Sequence, residues 1–346
     1  MAVDVEMVSL FRAELQLCKV GPDQTLAVLS EADKRADYAQ AFLIAARELG
    51  AQAFHMNVPK KTMRDPKNLV GRNALAGNRP AIEALKAADI VIDLMGLLFS
   101  PEQAEITATG TRMLLVVEPI EILRQMFPDE DLRRRVEFGE ALLGSARELH
   151  VTSAAGTDIR YRLGQYPVMT EYGYTDSAGR WDHWPSGFLL SQGNDREIEG
   201  TVMLMPGDIV NAFRRYIQSP VKLTVRGGYV TDIAGDGMDV TLLRTYMDSF
   251  NDPRAYAVSH IGWGLNQNAK WYHMASTRSL DREIGVNGLA FYGNVLFSLG
   301  PNTELGGTND TACHLDMPLC NASLFLDGRP MVENGQVVPA EMRVDP

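Results

Sequence analysis

The sequence predicts an α/β fold: an N-terminal α/β domain with a mostly parallel sheet, followed by a C-terminal β-rich α+β domain. Two observations carry this. In the first half, short apolar runs of strand length alternate with segments of helical apolar spacing, the rhythm of a parallel sheet covered by helices. Beyond about residue 152 glycine and aromatic residues become frequent, and the apolar runs shorten into strand-and-turn texture. The change of texture places a boundary near residues 152–165, with domains 1–157 and 158–346.

The elements follow in order. Met1 to Val20 mixes Asp4, Glu6, Arg12 and Glu14 with apolar residues and reads as an amphipathic helix. Thr25–Leu29 is a buried-strand run, and Tyr38–Leu49 has helical spacing that ends at Gly50, a favourable C-terminal stop. Ala51–Val58 reads as a strand, Ala81–Ala88 as a helix, and Asp89–Leu94 and Arg112–Val117 as strands. Helices are expected through Pro119–Phe127 and Asp129–Glu148. In the second half, Gly200–Met205, Lys222–Val225 and Tyr229–Ile233 look like antiparallel strands, with Arg226-Gly227-Gly228-Tyr229 as a hairpin turn. A helix is expected near Val240–Phe250, and Leu289–Leu299 and Asn321–Leu326 read as buried strands. Asp327-Gly328 and Asn334-Gly335 are further turn signals.

Composition excludes more than it selects. The chain has 346 residues, 45% hydrophobic and 22% charged, ordinary for a globular protein. A net charge of −11 and a pI near 5.1 give no electrostatic attraction to nucleic acid or an anionic membrane. Cys18, Cys313 and Cys320 are too few for a disulfide framework or a zinc cluster and read as reduced, small apolar residues. The N-terminus lacks the basic start and apolar centre of a signal peptide, and no apolar run approaches the roughly 20 residues that span a bilayer. The expected compartment is the cytoplasm.

Thr311-Ala312-Cys313-His314-Leu315-Asp316-Met317-Pro318 offers a histidine and a carboxylate two residues apart. In an extended segment both side chains face the same way and can grip one ion. A third ligand would complete a 2-His-1-carboxylate face, and His260 in Ser259-His260-Ile261-Gly262-Trp263-Gly264 has the most suitable context among the six histidines. The alternative is a histidine and an aspartate finishing an edge strand. Glu171-Tyr172-Gly173-Tyr174 with Arg180-Trp181-Asp182-His183-Trp184-Pro185-Ser186-Gly187 reads as a binding loop, or as a surface loop whose tryptophans pack at an interface. Gly300 to Gly307 reads as a turn, and Gly207-Asp208 as a turn or cap. His55, His150 and His273 have no supporting context. Dinucleotide, P-loop, serine-hydrolase and H-E-x-x-H motifs are absent.

The strings Gly164-Gln165-Tyr166-Pro167, Glu171 to Tyr174, Gly179 to Phe188, Ser259 to Leu265 and Cys313-His314-Leu315-Asp316 closely resemble the 2,5-dihydroxypyridine 5,6-dioxygenase family. Ser100-Pro101-Glu102-Gln103, Gly110-Thr111-Arg112 and Val117-Glu118-Pro119 extend the resemblance over nearly the whole chain. It implies a mononuclear Fe(II) centre on His260, His314 and Asp316 and insertion of O2 across C5–C6 of 2,5-dihydroxypyridine to give N-formylmaleamate, a step of nicotinate or nicotine catabolism. Glu171 and His183 are then the catalytic and substrate-contacting candidates, with Leu98, Phe99 and Leu289 lining the ring. The family pattern has histidine where Phe99 stands and arginine where Leu289 stands, so this pocket is expected to be more apolar. A homo-oligomer is also implied.

The same family resembles, distantly, the M29 metallo-aminopeptidases, so an M29-like fold is expected. Those enzymes bind two metals; here His260 stands where a glutamate ligand would be and Leu296 where a histidine would be. Leucine cannot coordinate, which points to one metal in place of a two-metal hydrolytic clamp. Three alternatives remain beside the dioxygenase reading: an M29-like aminopeptidase, a dioxygenase for a related hydroxylated heteroaromatic, and a non-catalytic binding protein on the same scaffold.

Overall fold

The computed structural model describes residues 4–60, 73–276 and 284–344. The chain forms two compact units, Met1–Pro128 with Tyr172–Pro185, and Asp129–Glu171 with Ser186–Pro346. The first unit's N-terminal stretch ends at Pro128, and Tyr172–Pro185 returns to it later in the chain. The helix Glu130–Ser145 packs on the strands Met169–Glu171 and Phe188–Gln192 of the second unit. An amphipathic pattern announces that a helix covers a sheet without saying which sheet.

The first unit holds five parallel strands in the spatial order Gln52–Val58, Thr25–Glu31, Ile90–Asp93, Arg112–Leu115 and Trp181–His183. Ile90–Asp93 and Arg112–Leu115 are buried throughout, as strands covered on both faces must be. The last strand arrives from 66 residues beyond the fourth, counting from Leu115 to Trp181, and its Met113↔Trp181 pairing returns Tyr172–Pro185 to this sheet. The helix expected at the N-terminus runs Val5–Leu17, with the Asp4 side chain capping it through the Glu6 amide at 2.9 Å; Met1 to Val3 lie outside the described residues. Ala36–Glu48 buries Tyr38, Phe42 and a run of alanines. Asn78 and Ser100 cap Arg79–Lys86 and Pro101–Thr107, each followed by proline in the first turn.

The second unit is antiparallel. An eight-stranded sheet runs in the order Tyr229–Ala234, Val221–Arg226, Ile198–Leu204, Asp158–Arg162, Glu148–Thr152, Ser323–Leu326, Arg329–Glu333 and Gln336–Val337. Its first hairpin turns at Gly227 and Gly228, both at positive φ (55° and 76°), as the Arg226↔Tyr229 closing pair requires. A five-stranded sheet has the order Leu315–Leu319, Val295–Leu299, Val258–Gly264, Phe188–Gln192 and Met169–Glu171. The three middle strands are buried along their whole length.

One expected strand is shorter than its apolar run. Leu289–Leu299 divides into the end of a helical turn, Val286–Leu289, and the strand Val295–Leu299. The break is held by Asn294, whose side-chain NH2 donates to the carbonyls of Gly288 (2.6 Å) and Leu289 (2.9 Å) while its oxygen accepts from Gly264 N at 2.6 Å. Gly293 beside it has φ +87°, and a Cβ there would meet Gly335 O at 2.2 Å.

Candidate metal centre

The five-stranded sheet assembles the centre from three strands. His260 lies on the central strand, Ser298 on its neighbour, and Asp316 on the edge strand, where it pairs directly with Ser298. Between Val258↔Leu299 and Ile261↔Phe297 the central strand advances three residues against two on its partner, so a β-bulge falls at Ser259–His260. Such a bulge re-aims a side chain, and the Ser259 hydroxyl anchors it by donating to Pro301 O. His314 immediately precedes the edge strand, so the His-x-Asp pair does face one way, and the strand is an edge as well.

Three donor atoms converge. His260 Nε2 lies 3.3 Å from His314 Nε2 and 3.4 Å from Asp316 Oδ1, and His314 Nε2 lies 3.2 Å from the same oxygen. A triangle with sides of that length has its centre about 1.9 Å from each corner, just inside the roughly 2.0–2.2 Å that nitrogen and oxygen donors take to a transition metal. The set of two imidazoles and one carboxylate, with both histidines buried, fits a single divalent ion. Among the described residues this is the one group of three or more potential ligands that close together. Leu296, two residues from Ser298 on the same strand, is buried and brings no donor to that face.

Hydrogen bonds and charge prepare the triangle. Ser298 Oγ donates to Asp316 Oδ1 at 2.6 Å, so its single proton is engaged there. The same oxygen must then accept from His260 Nδ1 at 3.1 Å, which leaves His260 Nε2 as a bare lone pair facing the other two donors. Burial pushes His260 down to about 4, with Asp316 opposing and His314 adding to the fall. Burial acts on His314 in the same sense, but the Asp316 carboxylate outweighs it and, with Glu304, holds that imidazole up at about 9. Burial would raise Asp316, yet the charge and hydrogen bond of His314 keep it well below the usual carboxylate range. Without metal His314 is thus the protonated, cationic member of the centre, and His260 is neutral.

Several residues were not foreseen. Ser298 is one; its only sequence signal is a hydroxyl inside the apolar run Val295-Leu296-Phe297-Ser298-Leu299. Glu304 is another. The segment read as a turn contains a 3-10 turn at Thr303–Leu305, and both carboxylate oxygens of Glu304 are buried without a hydrogen-bond partner. Burial pushes Glu304 up to about 7, with His314 pulling the other way. The Gly207-Asp208 reading as a cap holds: Asp208 accepts from Met205 N at 2.7 Å and Cys320 N at 3.0 Å.

The remaining candidates have other settings. Glu171 ends the strand Met169–Glu171, buried, and accepts from Ser186 Oγ at 2.8 Å. Leu289 is buried at the end of its helical turn. His183, Leu98 and Phe99 belong to the first unit. Burial pushes His183 down to about 3, so its ring is neutral. The loop around it is organised by Asp182, which accepts from the amides of Tyr172, Gly173 and His183 at 2.8–3.1 Å and pairs with Arg180 at 2.6 Å. The segment is no surface loop: Trp184 is fully buried and packs edge-on against Phe11 and Phe127. Asp93 similarly holds the chain before Leu98 and Phe99, accepting from Met95, Gly96 and Leu97 amides at 2.6–3.0 Å.

The family model described as 2,5-dihydroxypyridine 5,6-dioxygenase matches residues 6–339. The chain belongs to the 2,5-dihydroxypyridine 5,6-dioxygenase family. It is 46% identical over 345 residues to the 2,5-dihydroxypyridine 5,6-dioxygenase of Pseudomonas putida, an alignment covering 98% of this chain and 97% of the relative. The solved structure of the 2,5-dihydroxypyridine dioxygenase from Pseudomonas putida KT2440 superposes with a TM-score of 0.93 at 45% identity, covering 99% of this chain and 100% of that one. Wild-type AmpT from Thermus thermophilus shares the fold, with a TM-score of 0.63 at 11% identity over 96% of this chain and 99% of its own. The M29-like architecture expected from the sequence is therefore present.

Proposed function

We propose that this chain is a mononuclear Fe(II)-dependent ring-cleaving dioxygenase that inserts O2 across C5–C6 of 2,5-dihydroxypyridine, giving N-formylmaleamate. The observation that carries the reading is the compact triangle of His260, His314 and Asp316 in a member of this family. Iron held there would supply adjacent open positions for a hydroxylated ring and dioxygen.

The chain's own residues do the rest. Ser298 keeps His260 in the tautomer whose Nε2 can coordinate and ties that histidine to Asp316. Burial of the two histidines keeps bulk water from their ring nitrogens. Glu171 and His183 are the proposed substrate contacts; His183, a neutral imidazole, would hold a ring hydroxyl through hydrogen bonding. Leu98, Phe99 and Leu289 are the proposed apolar contacts of the ring. These roles come from the family resemblance and are tested residue by residue.

A second reading, a dioxygenase for a related hydroxylated heteroaromatic, rests on the apolar Phe99 and Leu289, at positions where the resemblance implies polar residues. An aminopeptidase is disfavoured, because Leu296 offers no donor and the described residues hold one three-ligand cluster. We further place the protein in the cytoplasm, as a homo-oligomer, in pyridine-ring catabolism. No helix among the described residues is long and apolar enough to cross a membrane.

The test is anaerobic loading with Fe(II), then oxygen uptake and loss of ring absorbance with 2,5-dihydroxypyridine. One O2 per ring, abolished in His314→Ala and reduced in His183→Ala, supports the reading. Iron-loaded protein that leaves this ring intact but opens another hydroxypyridine moves the assignment to the second reading.

A further inference from the structure

A cavity of about 270 Å3 lies in the second unit, lined by Gln192, Asp195, Arg196, Arg254, Asn302 and Thr308 among others. None of the three metal-ligand candidates lines it. Gln192 forms part of its wall. That side chain is only 4% exposed, and its carbonyl oxygen has no hydrogen-bond partner. Buried amides are nearly always paired, so an orphan one in a cavity wall marks a place where a ligand can bond.

The neighbouring polar groups are already occupied. The Asp195 carboxylate accepts from the Tyr166 hydroxyl at 2.7 Å and Gln165 Nε2 at 3.0 Å. Asn302 accepts from Asn309 N at 2.8 Å and donates to the Tyr166 hydroxyl at 3.4 Å. Arg254 engages Asp252 through Nε at 3.0 Å, which leaves its terminal nitrogens for another acceptor. The unmet chemistry is therefore the Gln192 carbonyl oxygen, the Thr308 hydroxyl and two guanidinium groups, those of Arg196 and Arg254.

An unmet carbonyl oxygen calls for an N–H donor, which an amide or imide supplies. Guanidinium groups add recognition of a carboxylate. Gln192 is also the direct cross-strand partner of His260. Partners in adjacent antiparallel strands share a face, with Cβ atoms roughly 4.5–5.5 Å apart. The wall formed by Gln192 thus borders the His260 side of the metal centre.

We propose that this cavity is a separate binding site for a small carboxylate bearing an amide or imide edge, and that its occupant slows turnover by pressing on the Gln192–His260 pair. Opening a hydroxypyridine beside its nitrogen yields a molecule of this class. That physiological identity rests on the proposed dioxygenase function; the site itself does not.

Maleamate is a suitable probe, and calorimetric titration needs no turnover. One maleamate should bind per chain, equally in iron-loaded, metal-free and His314→Ala protein. Gln192→Leu should weaken binding at least tenfold. Arg196→Gln, at an exposed turn position, should weaken it severalfold even if the buried variant does not fold. Maleate, which lacks the amide, should bind at least tenfold more weakly, and maleamate should lower kcat for the ring without raising KM. Absence of binding, loss of binding with the metal, indifference to both cavity variants, equal binding of maleate, or purely competitive inhibition each overturns the proposal. Tight maleamate binding by a protein that opens no pyridine ring would keep the site and discard the dioxygenase reading.

Discussion

His260 Nε2 and His314 Nε2 face each other across 3.3 Å, with the Asp316 carboxylate completing the triangle. In the metal-free chain His314 keeps its proton up to about 9 because the Asp316 carboxylate, with Glu304, outweighs its burial. A metal ion must displace that proton.

Metal uptake should therefore release one proton below pH 9. The apparent affinity is expected to rise about tenfold per pH unit between pH 6 and 8. The sign for stability is opposite: because the folded value of His314 is raised, its contribution to the metal-free fold is full below about 6.5 and fades as pH rises through about 9. Calorimetric titrations in buffers of different ionisation heat count the proton. A pH-independent affinity would contradict the assignment.

Ser298→Ala should lower metal affinity by roughly 10–100-fold, the usual cost of losing a partner that orients a ligand histidine. The hydroxyl touches both His260 and Asp316, so its removal frees the imidazole to flip or change tautomer. Competition with a chelator measures this, while an unchanged melting temperature would show that the fold is intact. Undiminished affinity would leave Ser298 a packing residue only.

Glu304→Gln removes a negative charge that helps hold His314 up. The variant should give up the His314 proton at lower pH, a difference expected near pH 8, where wild-type Glu304 is ionised, and fading below its own value of about 7. Titration of the His314 ring signal in the metal-free protein reports the shift. No movement of that signal would disconnect Glu304 from the centre.

Phe99→His should raise kcat/KM for 2,5-dihydroxypyridine by about tenfold if the ring gains one hydrogen bond there. Backbone strain does not oppose the change, since Phe99 sits at φ +52° and histidine tolerates that region better than phenylalanine. Steady-state kinetics on the two proteins decides it. Equal kcat/KM would mean the ring makes no use of this position.

Much of the fold was legible because it depends on local pattern. The parallel strands announce themselves as short buried runs between amphipathic helices, and paired glycines mark the hairpin at Gly227–Gly228. The candidate His-x-Asp face was legible for the same reason: His314 and Asp316 are two apart in an extended segment, and extended chain puts them on one side. What the sequence hid is long-range. The return of Trp181–His183 to the first sheet depends on strand order, which no local period encodes. The bulge at Ser259–His260 depends on a register between strands almost forty residues apart. Ser298 and Glu304 matter through what they meet in three dimensions, and a lone serine in an apolar run or a glutamate in a glycine-rich turn is silent until the strands are assembled.

The central claim is that His260, His314 and Asp316 together hold one iron. The most direct measurement is the iron bound per chain after anaerobic loading and gel filtration, in the wild type and in His260→Ala, His314→Ala and Asp316→Ala. The account predicts one iron in the wild type and its loss in each variant, with the fold retained. Two metals per chain, or one that survives removal of any of the three ligands, would contradict it.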